Sequence, residues 1–510
     1  RQAIRRAARS RHAISVEPTR LTMARRIQHD RAIALALLLP LMLAGCMLGP
    51  NYQRPPAEVP QNWDSMTTGE AKGIPVSTHR LPAADWWREF QNDELNRLIE
   101  LALRNNHDVR RAAFRVLEGR AIVTAAGAGL YPHVNLDASY TRNRRSETIL
   151  AVPNGTTPQG FAPPGSTFDL WSGLIDLHWE LDLWGRIRRG REAATAEADA
   201  LEQDRRAVIL SLIADLGLAY FQLRELDEQI EIAEKNLLLR KDSLSIIRAR
   251  ATAGLASELD VQRSEVLVAE SAAQIPELRR VRAAARHQIE VLTGSTPGSL
   301  ELPPRPLRTV VAQPEIPVGL PAQLLERRPD IVQAEQTLVA ANARIGEARA
   351  FFFPAISITG QGGLQSSEFT QWFRGGSGTY SIGPSITLPI FQGGTNVARL
   401  RASEARHGQM LEQYRQTILN AFREVADLLV AIRTRTEQRD HQRDQVEAAQ
   451  TALELAQIRY QKGLVNYLDV LDAQRTVLDA ELRLVQTERV RLTDMVGLFK
   501  ALGGGWGEAA

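Results

Sequence analysis

The sequence predicts a mixed α+β membrane protein built from one unit used twice, each copy a helix, a strand pair and a longer helix hairpin. Three observations predict it. First, the chain repeats itself. Tyr131-Pro132-His133-Val134-Asn135-Leu136 returns as Phe353-Pro354-Ala355-Ile356-Ser357-Ile358, and Asn106-His107-Asp108-Val109 as Arg328-Pro329-Asp330-Ile331, both 222 residues later. Second, four segments alternate apolar and polar residues over about 10 positions, the length a tilted strand needs to cross a bilayer. Third, long proline-free stretches carry apolar residues at coiled-coil spacing. Farther on, Gly254-Leu255 through Leu259-Asp260-Val261 returns as Gly463-Leu464 through Leu468-Asp469-Val470 at an offset of only 209. The first copy therefore holds 13 more residues between its strands. The organisation expected is an extension and signal peptide at 1–45, an anchor and equatorial segment at 46–92, a first repeat at 93–300 and a Pro-rich linker at 301–316. The second repeat follows at 317–502, and a flexible tail at 503–510.

The N-terminus is legible first. Arg25, Arg26 and Arg31 precede an apolar run from Ala32 to Leu43, shorter than the roughly 20 residues of a spanning helix. With small residues before Cys46, this reads as a secretory signal peptide starting at Met23, with residues 1–22 as upstream translated sequence. Leu43-Ala44-Gly45-Cys46 resembles the bacterial lipobox, in which the thiol takes a covalent lipid; Met47 rather than Asp at the next position favours outer-membrane sorting. Cys46 is the only cysteine, so the chain has no internal disulfide. Residues 1–45 hold nine Arg and two acids. The net charge of +3 thus belongs to the leader, and the remainder is acidic. That composition gives no footing for nucleic-acid binding.

Strands are expected at about 131–142, 173–184, 354–364 and 379–390. In the first, Val134, Leu136, Ala138 and Tyr140 alternate with Asn135, Asp137 and Ser139; in the second, Ile175, Leu177, Trp179 and Leu181 alternate with Asp176, His178 and Glu180. Period two gives one wet and one apolar face. Aromatic residues near the ends (Tyr131, Trp171, Trp184, Phe353, Phe391) match an interfacial girdle. Four strands cannot close a membrane barrel, whose smallest usual size is about 8 strands, and open edges are not tolerated in lipid. Oligomerisation is required, and a dimer or a trimer satisfies the arithmetic. Pro/Gly/Ser-rich stretches at 143–167 and 366–378 read as the loops within each pair.

The helices come next. Leu212, Leu216, Ala219, Leu223, Leu226, Ile230, Ala233 and Leu237 form one seam; Leu411, Tyr414, Ile418, Phe422, Val425, Leu429 and Ile432 form its counterpart. Gly254 and Gly463 mark the chain reversals, as glycine past a helix end does, and returning helices run from Leu259 to Leu292 and from Leu468 to Leu502.

Arg327-Arg328-Pro329-Asp330-Ile331, Ala334-Glu335, Ala341-Asn342-Ala343, Ile345-Gly346, Ala348-Arg349-Ala350 and Phe353-Pro354 carry a family resemblance, supported by Trp86-Trp87, Phe90, Leu95 and Leu471-Asp472-Ala473-Gln474-Arg475. From Cys46 onward the chain resembles the outer-membrane factor family, the TolC-like channels of tripartite efflux pumps, in particular the lipoprotein branch that serves resistance-nodulation-division (RND) pumps. The resemblance implies a homotrimer in the outer membrane of a Gram-negative bacterium, with a 12-stranded β-barrel continuous with a periplasmic α-helical barrel. It also implies a periplasmic adaptor and an inner-membrane RND pump as partners. Two sites follow from it. Arg250, Gly254, Leu255 and Ser257, with Gly463 and Leu464, match an adaptor-docking tip, although Asn466 stands where Ser or Thr is usual. Leu468 and Asp472 match a tunnel constriction, with Arg459 and Tyr460 bracing neighbouring helices. Three carboxylates converging on an axis would admit cations and select against anions.

The nine histidines form no metal motif, and no phosphate-binding loop is present. The expectation is a channel without cofactor, save the lipid on Cys46, and without catalytic residues. A duct for type I protein secretion is the rival within transport. A structural coiled-coil envelope lipoprotein is the rival outside it, and four bilayer-length amphipathic strands argue against that.

Overall fold

The computed structural model describes residues 47–63, 76–77, 83–148, 165–310 and 316–505. Cys46, the leader and the Pro153-Asn154-Gly155-Thr156 stretch lie outside the described residues. A short helical turn, Trp86–Phe90, is followed by α1 (Asp93–Asn105), α2 (His107–Ala128), β1 (His133–Arg144), β2 (Thr167–Leu181), α3 (Arg186–Thr252) and α4 (Glu258–Leu292). The second half holds α5 (Pro329–Ala350), β3 (Ala355–Ser366), β4 (Gly378–Thr387), α6 (Thr395–Gln461) and α7 (Tyr467–Ala501). The repeat is residue-for-residue in its helices: α2 and α5 have 22 residues each, α3 and α6 have 67, α4 and α7 have 35. A 67-residue helix is about 100 Å long. The returning helix α4 continues through Pro276, although proline removes one ladder hydrogen bond.

The chain divides into two compact units. Among the described residues, the strand unit contains 47–50, 127–148, 165–190 and 344–400. Its sheet is antiparallel in the order β1-β2-β3-β4. Tyr140 pairs with Trp171, Leu136 with Ile175, Leu181 with Ile356, and Ile356 with Ile386, so the apolar residues share one face. That face is uncovered: Leu136 is 73 % exposed, Ile382 74 % and Tyr380 87 %. The strands differ from expectation at several ends: β1 runs two residues later than expected and β2 stops at Leu181 rather than near 184. β2 begins at Thr167 rather than near 173, because the Arg144–Tyr140 end of β1 pairs with it and the Tyr140 and Trp171 rings meet at 4.4 Å. β4 stops at Thr387, leaving Leu388 and Ile390 beyond the ladder; Pro389 has no N–H to donate. Pro384 sits within β4, which is an edge strand and tolerates it.

Among the described residues, the helical unit contains those of 51–126 and 191–343 and those from Arg401 to Gly505. Its core joins both seams with the N-terminal aromatics: Leu216, Leu223, Val425 and Leu429 are buried beside Trp86, Phe90, Phe221 and Phe499. Trp86 stacks on Phe499 at 5.0 Å. The linker is held down on α3. Leu302 and Leu307 are buried, Arg224 donates to the Pro303 carbonyl at 2.8 Å, and the Arg305 N–H donates to Asp227 at 3.0 Å. Gly503–Gly505, expected in a flexible tail, are buried. The Gly504 N–H donates to the Phe499 carbonyl at 3.0 Å, and a Cβ there would meet Leu210 and the Trp86 ring. Only a chain without side chains passes that close to the indole.

Candidate functional site

The residues singled out for docking and gating all lie in the helical unit, around the two reversals. Both reversals use one backbone solution. Gly254 has φ +73° and Gly463 φ +71°. The Leu255 N–H donates to Arg250 O at 2.8 Å and the Gly254 N–H to Ala251 O at 2.9 Å. Leu464 to Arg459 O and Gly463 to Tyr460 O repeat this at 2.9 Å each. This glycine-dependent Schellman arrangement satisfies the last carbonyls of each outgoing helix. It also thrusts Leu255 and Leu464 into solvent, 69 % and 65 % exposed.

The starts of the returning helices differ. Ser257 caps α4, accepting from the Asp260 N–H at 3.2 Å while its hydroxyl donates to Asp260 Oδ2 at 2.7 Å; the Asp260 carboxylate reaches back to the Ser257 N–H. This is a reciprocal capping box. Asn466 caps α7 through the Asp469 N–H at 3.2 Å, and its amide makes no return contact of that kind.

The structure brings Arg250 and Tyr460 together. The Arg250 guanidinium lies 4.9 Å above the Tyr460 ring, joining the first hairpin to the second. Tyr460 in turn stands 5.5 Å from Tyr467. Leu468 and Asp472 sit four residues apart on one face of α7, both exposed, and the Asp472 carboxylate takes no partner among the described residues. Arg459 is exposed on α6. The cation on Tyr460 within one chain is therefore Arg250 rather than Arg459.

Sequence reasoning missed the support beneath these residues. Leu244, Ile247, Val261, Tyr467 and Val470 form a small buried cluster at the tip, apart from the main core. Tyr467 Oη and Ser264 Oγ share a hydrogen bond of 3.0 Å, and Gln474 donates to Ser243 Oγ at 3.1 Å. Burial pushes the Tyr467 phenol up, with Ser264 and Ser243 pulling the other way, so it stays a neutral hydrogen-bonding group. Burial also pulls the Arg240 guanidinium down; its Nη1 donates to the Leu267 carbonyl at 2.9 Å. A signal was present: at offset 209 the exposed Glu258 of the first copy becomes Tyr467 in the second. Among the described residues no group of three or more His, Cys, Asp or Glu side chains could hold a metal ion.

Known proteins share this design. The family profile described as "Outer membrane efflux protein" matches residues 98–295 and 320–504. The chain is 35 % identical to the outer membrane protein OprJ of Pseudomonas aeruginosa, over 93 % of this chain and 96 % of that one, and 37 % identical to the toluene efflux pump outer membrane protein TtgF of Pseudomonas putida, over 92 % and 96 %. Among solved structures it superposes on the outer-membrane channel OprN with a TM-score of 0.81 at 33 % identity, covering 90 % of this chain and 100 % of that one. The open-state MtrE outer membrane channel of Neisseria gonorrhoeae gives 0.75 at 30 % identity, covering 90 % and 98 %.

Proposed function

The chain belongs to the outer membrane efflux protein family, and on that footing we propose that three copies form the exit duct of a tripartite pump. It is an outer-membrane efflux channel with a periplasmic helical tunnel. One observation carries the closed-oligomer reading, and the family resemblance supplies the number three. The sheet has two open edges, β1 and β4, and an uncovered apolar face. A spanning sheet must close on itself, since unpaired backbone groups are costly in lipid. Three copies give twelve strands and pair every edge. The polar face, with Asp137, Asp176, His178 and Gln361, then lines a wet lumen.

Cargo needs no binding pocket on this reading, only a wet wall and a gate; names such as toluene efflux for a relative support small organic compounds as the class. An RND pump in the inner membrane drives the cargo, and a periplasmic adaptor docks at Arg250, Gly254, Leu255, Ser257, Gly463 and Leu464. The exposed Leu255 and Leu464 supply the apolar contact. Leu468 and Asp472 narrow the tunnel, and Arg459 and Tyr460 brace it against the next chain. An exposed ion pair made by Arg459 contributes about 0–1 kcal/mol, so an adaptor has little to overcome when it opens the tip. A lipid on Cys46 adds an anchor, each buried CH₂ contributing about 0.8 kcal/mol.

Mass measurement of the detergent-purified protein together with single-channel recording tests this. Trimers that conduct are expected, and replacing Asp472 with Ala should weaken cation block. A monomer that never conducts, with or without that substitution, sinks the duct. Unchanged cation block in a conducting Asp472→Ala trimer removes Asp472 from the gate.

A further inference from the structure

The first described residues are bound to the strand unit in one particular way. The Leu48 N–H donates to the Trp184 carbonyl at 3.1 Å. Arg189, only 2 % exposed, returns two hydrogen bonds, from Nε to Leu48 O at 3.0 Å and from Nη2 to Gly49 O at 3.4 Å. Both faces of the contact are glycine. Gly49 has φ +94°, and a Cβ on it would strike the backbone of Gly346. A Cβ on Gly346 would lie 2.5 Å from Leu48 O and 2.9 Å from Arg189 Nε. Backbone here packs on backbone, with a buried guanidinium satisfying the carbonyls.

The duplication makes this informative. Every long helix has a counterpart, so the chain contains a second place where such a seat could have stood. At offset 222 the counterpart of Gly346 is Thr124, which carries a Cβ and turns its hydroxyl back to Arg120 O at 3.2 Å. At offset 209 the counterpart of Arg189 is Ala398, which has no donor to give. Both defining features are present at one place and absent at its repeat.

We propose that Arg189 and Gly346 form a seat that captures the backbone of Leu48 and Gly49 and so fixes the start of the mature chain at one of two pseudo-equivalent positions. The seat is an interaction surface for this chain's own N-terminal segment. It rests on the lipid-anchor reading only for its consequence, which is that a lipid on Cys46 is tethered two residues from a fixed point, Leu48, rather than trailing on a free segment. The closed path of hydrogen bonds around Leu48 explains why a fully buried arginine is retained there: without the segment its guanidinium would lose two acceptors.

Spin labelling of the full chain tests the seat independently of lipidation. With Cys46→Ser and Met47→Cys the label is unique, and an immobilised spectrum is expected in the otherwise unchanged protein. Arg189→Ala and Gly346→Thr should each reduce the immobilised fraction several-fold while the protein keeps its oligomeric mass. Arg54→Ala, which removes the bidentate contact to Glu335 in the helical unit (2.7 Å from both Nε and Nη2), should leave the label immobilised. Should Gly346→Thr fail to fold, Arg189→Ala decides alone. An equally immobile label in Arg189→Ala, or a mobile label in the protein with the seat intact, overturns the proposal. Mass spectrometry of the unsubstituted chain reads the lipid separately; its absence would defeat the anchor and leave the seat standing.

Discussion

At both hairpin tips the chain turns through the same pair of hydrogen bonds around a left-handed glycine, yet the helix leaving the first turn starts on exposed Glu258 and the one leaving the second starts on buried Tyr467. The difference extends to other positions around the turns. Ala251 corresponds to Tyr460, Arg263 to Asp472 and Ser264 to Ala473. Backbone geometry was kept through the duplication because only glycine meets it cheaply. Side chains diverged because nothing in the turn depends on them. The first tip supplies a cation and a hydroxyl, Arg250 and Ser264. The second supplies the two rings that receive them, Tyr460 and Tyr467.

The largest expected effect tests the divergence. Tyr467→Ala should open the tip cluster by about 3 kcal/mol, the usual cost of removing a buried aromatic ring, whereas Glu258→Ala at the matched position should change little. Hydrogen exchange of the α4 and α7 N-terminal amides measures both, and equal effects would break the comparison. The next tests what is shared. Gly254→Ala and Gly463→Ala should each cost about 1–2 kcal/mol from the left-handed backbone alone, since nothing lies within 4 Å of either Cβ position. Matching increases in local exchange are expected, and a large difference would show that one turn is held by more than its backbone. Smaller again is the cap. Ser257→Ala should cost about 1 kcal/mol, and Asn466→Ser should complete a capping box with Asp469 and slow exchange at the start of α7. The smallest effect is Arg250→Ala, about 0.5–1 kcal/mol for a half-buried cation–π contact. Arg459→Ala should have no effect within a monomeric chain; an equal effect there would assign Tyr460 a second cation.

Much of the fold was legible because its signals are local. Alternation of two, seams of three and four, and a glycine past a helix end each follow from neighbouring residues, and the duplication let each be read twice. The strand ends were less legible. β2 grows toward Thr167 because β1 offers partners there, and β4 stops short because Pro389 ends the donor series. Gly503–Gly505 read as a tail from composition, yet they pass beside Trp86, more than 400 residues earlier in the chain. For the candidate site, the turn residues and the exposed Leu468 and Asp472 could be named from sequence. Their support could not, since Tyr467 finds Ser264 and Arg250 finds Tyr460 only when two hairpins lie side by side.

The sequence by itself determined the four strands, the long helix hairpins, the two reversals and the split of each strand into wet and apolar faces, but not the break at Asn106 that divides the first repeat's leading helix into α1 and α2. These depend on backbone periodicity and on the few residues with special φ. Tertiary structure alone decided which copy does what. It seated Leu48 and Gly49 on Gly346 rather than Thr124, and it paired the cation of one tip with the ring of the other. Such choices are contacts between residues hundreds of positions apart, set by how the elements pack, and no local pattern encodes them.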